Sequence, residues 1–584
     1  MQEKFYTVER SQQIVISLLK QHGIKRVIAS PGTTNISLVA SMQHDPWFEM
    51  YSSVDERSAA YMACGMAAET GEPVVLSCTG ATASRNYVPG LTEAYYRKLP
   101  VLAITATQDQ NRVGHMIPQV IDRSAQMADM VVLSEHIAAC QSGDDEWNAM
   151  IRANRAILAL KHHGGGPVHI NLATTYNQDF SCQELPVARK ISRYNVEQQL
   201  PSLPEGRIAI WIGNHTPMPK ELTEAIDNFC EYHGAVVFCD HTSNYHGKYK
   251  AAINFTAGQI GYFPTLFNPT LMIHIGEVTA DYNLYGKVGG AMKVWRISED
   301  GELRDTFRRL TDVFEMSEHF FFKHYAKEGK KADEPMQYLE ECLQMEEHII
   351  SKVPELPFSH IWIAQQTAKL LPKNCNAHFG ILNSLRSWDL WKMDESINGF
   401  TNSGGFGIDG DMSSCIGSSL VSPEKLHFLF IGDLAFFYDL NSIGNRHVGK
   451  NIRILLVNNG RGTEFRNFSH PGAAFGNKAD AYISAAGHYG AQSPQLIRHY
   501  AEDLGFEYLT ASSKDEFLKV VTRFVEPNIT NRPMLLEVFT DSQDESDALE
   551  AISYLADDAE QTLKKVARKI LPRKAINAIK SIIR

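Results

Sequence analysis

An apolar run, Leu426–Ile431, ends in Gly432-Asp433, and a second, Ile452–Val457, ends in Asn458-Asn459-Gly460. A carboxylate, an amide oxygen and a nearby loop carbonyl are hard donors. They suit Mg²⁺, which keeps few protein ligands and takes the rest from a phosphate or water. Both runs are short and β-rich, so they read as buried parallel strands. The segment between them, Asp439–Gly449, is about the length a crossover needs. Right-handed crossovers bring both strand C-termini to one sheet edge, where open α/β sheets bind ligands. Asp433 and Asn459 should therefore converge, and Gly432 should let a diphosphate approach the backbone. The plainer alternative is an ordinary strand–helix–strand unit with polar ends.

The Gly-Asp…Asn-Asn pattern resembles the diphosphate-binding motif of thiamine-diphosphate (ThDP) enzymes. The resemblance makes Asp433 and Asn459 metal ligands, with the backbone carbonyl of Arg461 as the third. It places Gly432, Leu434, Ala435, Asn459, Arg461, Glu464 and Phe465 around the cofactor. Leu434 stands where the commonest form has Gly. That departure, with Tyr438-Asp439-Leu440-Asn441 after it and Gly407-Ile408-Asp409-Gly410 before it, looks like the menaquinone-pathway branch of the family. That branch comprises the 2-succinyl-5-enolpyruvyl-6-hydroxy-3-cyclohexene-1-carboxylate (SEPHCHC) synthases.

ThDP enzymes need a carboxylic acid on the aminopyrimidine N1′, and it must be buried and protonated, with a pKa raised by desolvation. Here Val54-Asp55-Glu56-Arg57 precedes a small-residue helix, Tyr61–Ala67. Glu56 matches the family's activating glutamate. A solvated Glu favoured by a helix dipole is the alternative. Pro31-Gly32 upstream and Thr79-Gly80 downstream, in the family's order, favour the first reading and join the cofactor site.

The composition agrees. The chain has 584 residues, 21% charged and 44% hydrophobic, with a net charge of −11. That is room for three or four domains of ordinary globular character, and the negative charge argues against nucleic acid as a partner. The nine cysteines form no C-x-x-C pair and read as reduced thiols. Met1–Arg10 is polar, so no secretory signal is expected, and no run reaches the length of a membrane span. A cytoplasmic location is expected.

The predicted fold class is α/β: three doubly wound parallel-sheet domains of ThDP-enzyme type. Residues 1–185 are expected to bind the pyrimidine and 355–545 the diphosphate. Residues 190–350 form a structural middle domain without an extended glycine fingerprint. Residues 328–350 read as a helical connector. The resemblance implies an active site shared between chains, Glu56 from one and Asp433 from another. A homodimer is then the minimum, and a dimer of dimers is common in the family.

The substrate residues depart from the SEPHCHC branch. Thr33-Thr34 stand where that branch has Ser-Arg, and Ser403 replaces a second Arg. Thr and Ser cannot replace bidentate carboxylate recognition by Arg. Asn383-Ser384-Leu385-Arg386 resembles the family's substrate-contacting segment, and Arg386 is a candidate carboxylate ligand. His115 and Gln119 follow the strand Leu102–Thr105 and are candidate proton relays over the thiazolium. The expected activity is ThDP- and Mg²⁺-dependent decarboxylation of a 2-oxo acid, followed by release of an aldehyde or transfer to an acceptor. Genuine SEPHCHC synthase, acetolactate-synthase-like carboligation and a non-catalytic binding subunit are the alternatives.

Residues 560–584 form a separate feature. Positions 561–584 hold eight Lys or Arg and no acid, with apolar residues at helical spacing and a break at Pro572. A basic amphipathic helix reads as a peripheral membrane contact, and docking on the acidic body is the alternative.

Overall fold

The computed structural model describes residues 5–123, 125–279, 283–287, 292–487 and 493–556. The basic tail expected at 560–584 lies outside them. The chain divides into two compact units, one of Met1–Gln199 with Asp300–Glu315 and one of Leu200–Glu299 with the residues from Met316 on. Among the described residues, the ladders between the strands named below are parallel.

The first unit is built on β1 (Arg26–Ala29), β2 (Glu49–Ser52), β3 (Val74–Cys78), β4 (Val101–Thr107), β5 (Leu133–Ile137) and β6 (Val168–Ala173), in the order β2-β1-β3-β4-β6-β5. Strand residues alternate between two cores. Val27, Val75, Leu102 and Ile170 pack with Ile14, Leu18, Ala153 and Ile157 of helices Arg10–Gln21 and Gly143–Ala159. Ile28, Leu76, Val101 and Ala103 face Ala60, Ala63 and Leu91 on the other side. Both faces are thus covered, as the near-continuous apolar strands require. A parallel pair of β7 (Ser192–Asn195) and β13 (Leu310–Glu315) completes the unit.

In the second unit, β8 (Ile208–Ile212), β9 (Val236–Cys239), β10 (Lys250–Ala251), β11 (Leu271–Ile275) and β12 (Lys293–Ile297) run in the order β10-β9-β8-β11-β12. A six-stranded sheet follows: β14 (Asn376–Phe379), β15 (Asn398–Phe400), β16 (His427–Gly432), β17 (Ile452–Asn458), β18 (Glu507–Ala511) and β19 (Met534–Phe539). Its order is β15-β14-β16-β17-β19-β18. Numbered from its own first strand, it repeats the order of the β1–β6 sheet. Phe428, Phe430, Leu455 and Val457 lie on one face, and Leu429, Ile431, Ile454 and Leu456 on the other. The α/β doubly wound class read from the sequence is the class observed.

Two local expectations are corrected. The crossover after β16 does not begin at Asp439. A short helix, Asp433–Tyr438, starts at the motif itself, and a 3₁₀ turn, Leu440–Gly444, follows. Asp439 ends that helix because its carboxylate is taken by Ser413, accepting from the backbone N–H at 2.6 Å and the hydroxyl at 2.7 Å. In 328–350 only Gln337–Ile350 is helical. Gly329, at φ 78° in the left-handed region, and Pro335 break the earlier part.

Candidate active site

Glu56 opens helix Glu56–Thr70, and Asp55 caps it, accepting from the N–H of Arg57 at 2.9 Å and of Ser58 at 3.5 Å. Asn86 Nδ2 donates to Glu56 Oε2 at 3.0 Å. The helix is seated by small residues: Ala59, Ala60, Ala63 and Ala67 are buried, and Cys64 Sγ donates to the Gly90 carbonyl at 3.2 Å. A Cβ at Gly90 would lie 2.4 Å from that of Ala60, so the two helices touch through hydrogen-sized side chains. Gly90→Ala is therefore expected to cost about 1–3 kcal/mol and lower the thermal midpoint by several degrees. An unchanged melting curve would contradict this packing. Glu56 itself is only half-buried in the single chain, so the burial expected of it is not supplied by its own chain.

Around it, Gly32 permits a close approach, since a Cβ there would meet Thr79 Cβ at 2.4 Å. Thr34 is buried. Its hydroxyl lies 2.6 Å from Thr79 Oγ1 and 3.1 Å from the Ala106 carbonyl, and it accepts from the Gly80 N–H at 3.3 Å. Thr34 thus ties the ends of three strands together, while Pro31 and Thr33 are exposed. His115 and Gln119 lie exposed in the loop after β4, in which Met116 and Gln119 take φ of 55° and 65°. The loop returns over Gly80, where a Cβ would be 3.3 Å from the Gln119 carbonyl. Arg123 is 3% exposed, donates to the Ala106 carbonyl at 3.4 Å, and is pushed down to about 10 by burial. Arg123 is a lone cation in a polar loop, and no spacing or motif marks it.

In the second unit β16 and β17 are neighbours, Gly432 standing opposite Val457, so Asp433 and Asn459 do emerge at the same edge. Asp433 is 6% exposed. Burial pushes its carboxyl up to about 7, and the N–H groups of Leu434, Gly460 and Arg461 pull the other way. Asn459 Oδ1 accepts from the Thr463 hydroxyl at 2.6 Å. The Arg461 guanidinium is held by Asp480 at 3.1 Å. Leu434 and Phe465 flank Gly462, where a Cβ would meet both at 3.2 Å, and Ala435 faces the core. Gly432, at φ −85°, has no conformational need to be glycine, but a Cβ there would meet nothing within 4 Å. The turn therefore opens onto free space beside a desolvated carboxylate. That arrangement fits a divalent cation and a diphosphate.

Two cavities flank this edge. One of about 370 Å³ is lined by Asn383, Arg386, Glu464, His470 and Glu545, among others. There Arg386 already grips a carboxylate: Nη1 and Nη2 each donate to Glu464 at 3.1 Å. Ser384 beside it is buried. The second, of about 740 Å³, is lined by Asn402, Ser403, Gly407, Asp409 and Glu277. Ile408 packs against the core beneath it. Asp411, absent from the sequence reading, is pushed up to about 7 by burial and by Asp439 and Asp409, and accepts from Asn402 at 3.2 Å. Glu545 is likewise raised to about 7 by burial and accepts from the His360 N–H at 2.9 Å. Asp411 opens helix Asp411–Val421, and Glu545 lies in the first turn of helix Ser542–Ile552.

Doubly wound parallel sheets with such a strand edge define an α/β fold whose edge can hold a cation and a diphosphate. Comparison with known proteins agrees. Residues 10–127 match the thiamine pyrophosphate enzyme N-terminal TPP binding domain, thiamine pyrophosphate being another name for ThDP. The chain is 29% identical over 551 residues to the SEPHCHC synthase of Bacteroides fragilis, covering 92% of this chain and 97% of that protein. It is 29% identical over 563 residues to that of Bacteroides thetaiotaomicron, covering 92% and 96%. It is 27% identical over 553 residues to that of Flavobacterium johnsoniae, covering 90% and 95%. The chain is thus similar to SEPHCHC synthases along nearly all of its length, and over residues 10–127 to the TPP binding domain.

Proposed function

We propose that this chain is a ThDP- and Mg²⁺-dependent enzyme that decarboxylates a 2-oxo acid and either frees an aldehyde or passes the remaining fragment to an acceptor. The observation that carries the reading is the buried Asp433 carboxylate, facing the N–H groups of Gly460 and Arg461 beside an open glycine turn. Bound there, ThDP would supply the electron sink that lets a 2-oxo acid lose CO₂.

The residues take these roles. Asp433, Asn459 and the Arg461 carbonyl hold Mg²⁺, and Gly432, Leu434, Glu464 and Phe465 shape the diphosphate end. Glu56 holds a proton at the aminopyrimidine N1′. His115 and Gln119 lie on a loop able to move protons once covered. The domains run 1–185, 190–350 and 355–545. The substrates are not those of the SEPHCHC synthases, because Thr34 and Ser403 offer no guanidinium at the two positions where that branch carries arginine. Similarity along nine-tenths of the chain supports the second reading, a SEPHCHC synthase that binds its acids otherwise. No helix among the described residues is long and apolar enough to cross a membrane. A cytoplasmic enzyme, with the basic tail as a peripheral contact, is part of the proposal.

The half-exposure of Glu56 supports a site completed by a second copy. Mixing Glu56→Gln chains with Asp433→Asn chains tests this. Random pairing of inactive chains in a shared-site dimer restores one intact site in each mixed dimer, about a quarter of wild-type activity. No recovery after verified subunit exchange would place both residues in one chain's own site.

A further inference from the structure

A cluster of nitrogen and oxygen donors in the first unit has no part in the site above. His162 and His163 form the turn His162–Gly164, and Glu315 ends β13. His162 Nε2 lies 2.9 Å from Glu315 Oε2, and His163 Nε2 lies 2.7 Å from Oε1. The three donor atoms all lie within 4.8 Å of one another. The two rings stack with centroids 3.7 Å apart and 27° between their planes, which aims both Nε2 atoms the same way.

The backbone is bent to achieve this. His163 takes φ 48° and ψ 45°, the left-handed region that costs a non-glycine residue free energy. The turn closes through Gly164 and Gly165 at φ 91° and 75°, and a Cβ at Gly165 would lie 2.5 Å from the Leu160 carbonyl. A single histidine would satisfy Glu315 without that strain. Burial and the nearby Arg193 disfavour the charged form of His162, keeping it as the neutral imidazole that ligates metals. Glu315 and His162 are mostly buried, at 16% and 21% exposure, while His163 at 72% leaves an approach from solvent.

We propose that His162, His163 and Glu315 bind a divalent transition-metal ion of the Zn²⁺ class. Two imidazoles and a carboxylate suit Zn²⁺ or Co²⁺ in four-coordinate geometry, with water in the fourth position. They are a poor set for Mg²⁺, which prefers oxygen. The ion would pin the turn after helix Gly143–Ala159 to the end of β13, joining segments more than 150 positions apart.

The test uses the full chain with Mg²⁺ and ThDP present throughout, titrated with ZnCl₂ by calorimetry and with CoCl₂ by visible absorption. One saturable equivalent, the intense bands of four-coordinate Co²⁺ and a higher thermal midpoint with Zn²⁺ are expected. Glu315→Gln and His163→Asn, the latter tolerant of the left-handed backbone, should each weaken binding by about a hundredfold. Absence of saturable binding in the wild type, or wild-type affinity in both variants, overturns the proposal.

Discussion

Glu56→Gln is expected to lower turnover by about 10²- to 10⁴-fold while leaving the fold and cofactor affinity close to wild type. Gln is isosteric and can still accept from Asn86, whose amide lies 3.0 Å from Oε2. The Asp55 cap and the Ala60–Gly90 packing do not involve the Glu56 carboxyl, so helix Glu56–Thr70 should remain seated. What is lost is an acid able to hold and return a proton at N1′. Turnover should be compared with the midpoint of thermal unfolding and with the ThDP dissociation constant. Wild-type turnover in a folded, ThDP-saturated Glu56→Gln enzyme would remove Glu56 from the chemistry.

Asp433→Asn should act in opposite directions on two measurements. In wild type the folded carboxyl, near 7, lies above its ordinary value of 3.8. Folding therefore favours the protonated form. The resulting penalty is full above about pH 7 and disappears below about pH 4. Without metal or cofactor, Asn should raise stability at pH 8 by about 2–4 kcal/mol, a gain that shrinks as the pH falls. Mg²⁺-dependent ThDP binding should weaken by about a hundredfold or more. An Asn variant no more stable than wild type at pH 8, or one that binds ThDP normally, would contradict the role of Asp433.

The elements legible in the sequence were those with long apolar runs. β4, β16 and β17 carry buried side chains at almost every position, and each was placed to within two residues. Their order then brought Asp433 and Asn459 to one edge. The unread strands are polar and edge-like: β5 is LSEHI, and its buried Glu135 is paired with Arg152 and Arg155 of the next helix, at 2.6 and 3.0 Å. The same non-local logic hid Arg123, Asp411 and Glu545, each an ordinary surface residue until folding buries it. It also gave Arg386 a partner, Glu464, from a loop 78 positions away. Spacing picked out Asp433 and Asn459 as candidate donors; which side chains fold against one another required three dimensions.

The most direct measurement is CO₂ release by the purified chain with ThDP and Mg²⁺, against pyruvate, 2-oxoglutarate, phosphonopyruvate and sulfopyruvate, with and without isochorismate. The expected result is release from a 2-oxo acid that requires both ThDP and Mg²⁺ and is indifferent to isochorismate. Release confined to 2-oxoglutarate together with isochorismate would contradict the reading of Thr34 and Ser403 and make the chain a SEPHCHC synthase.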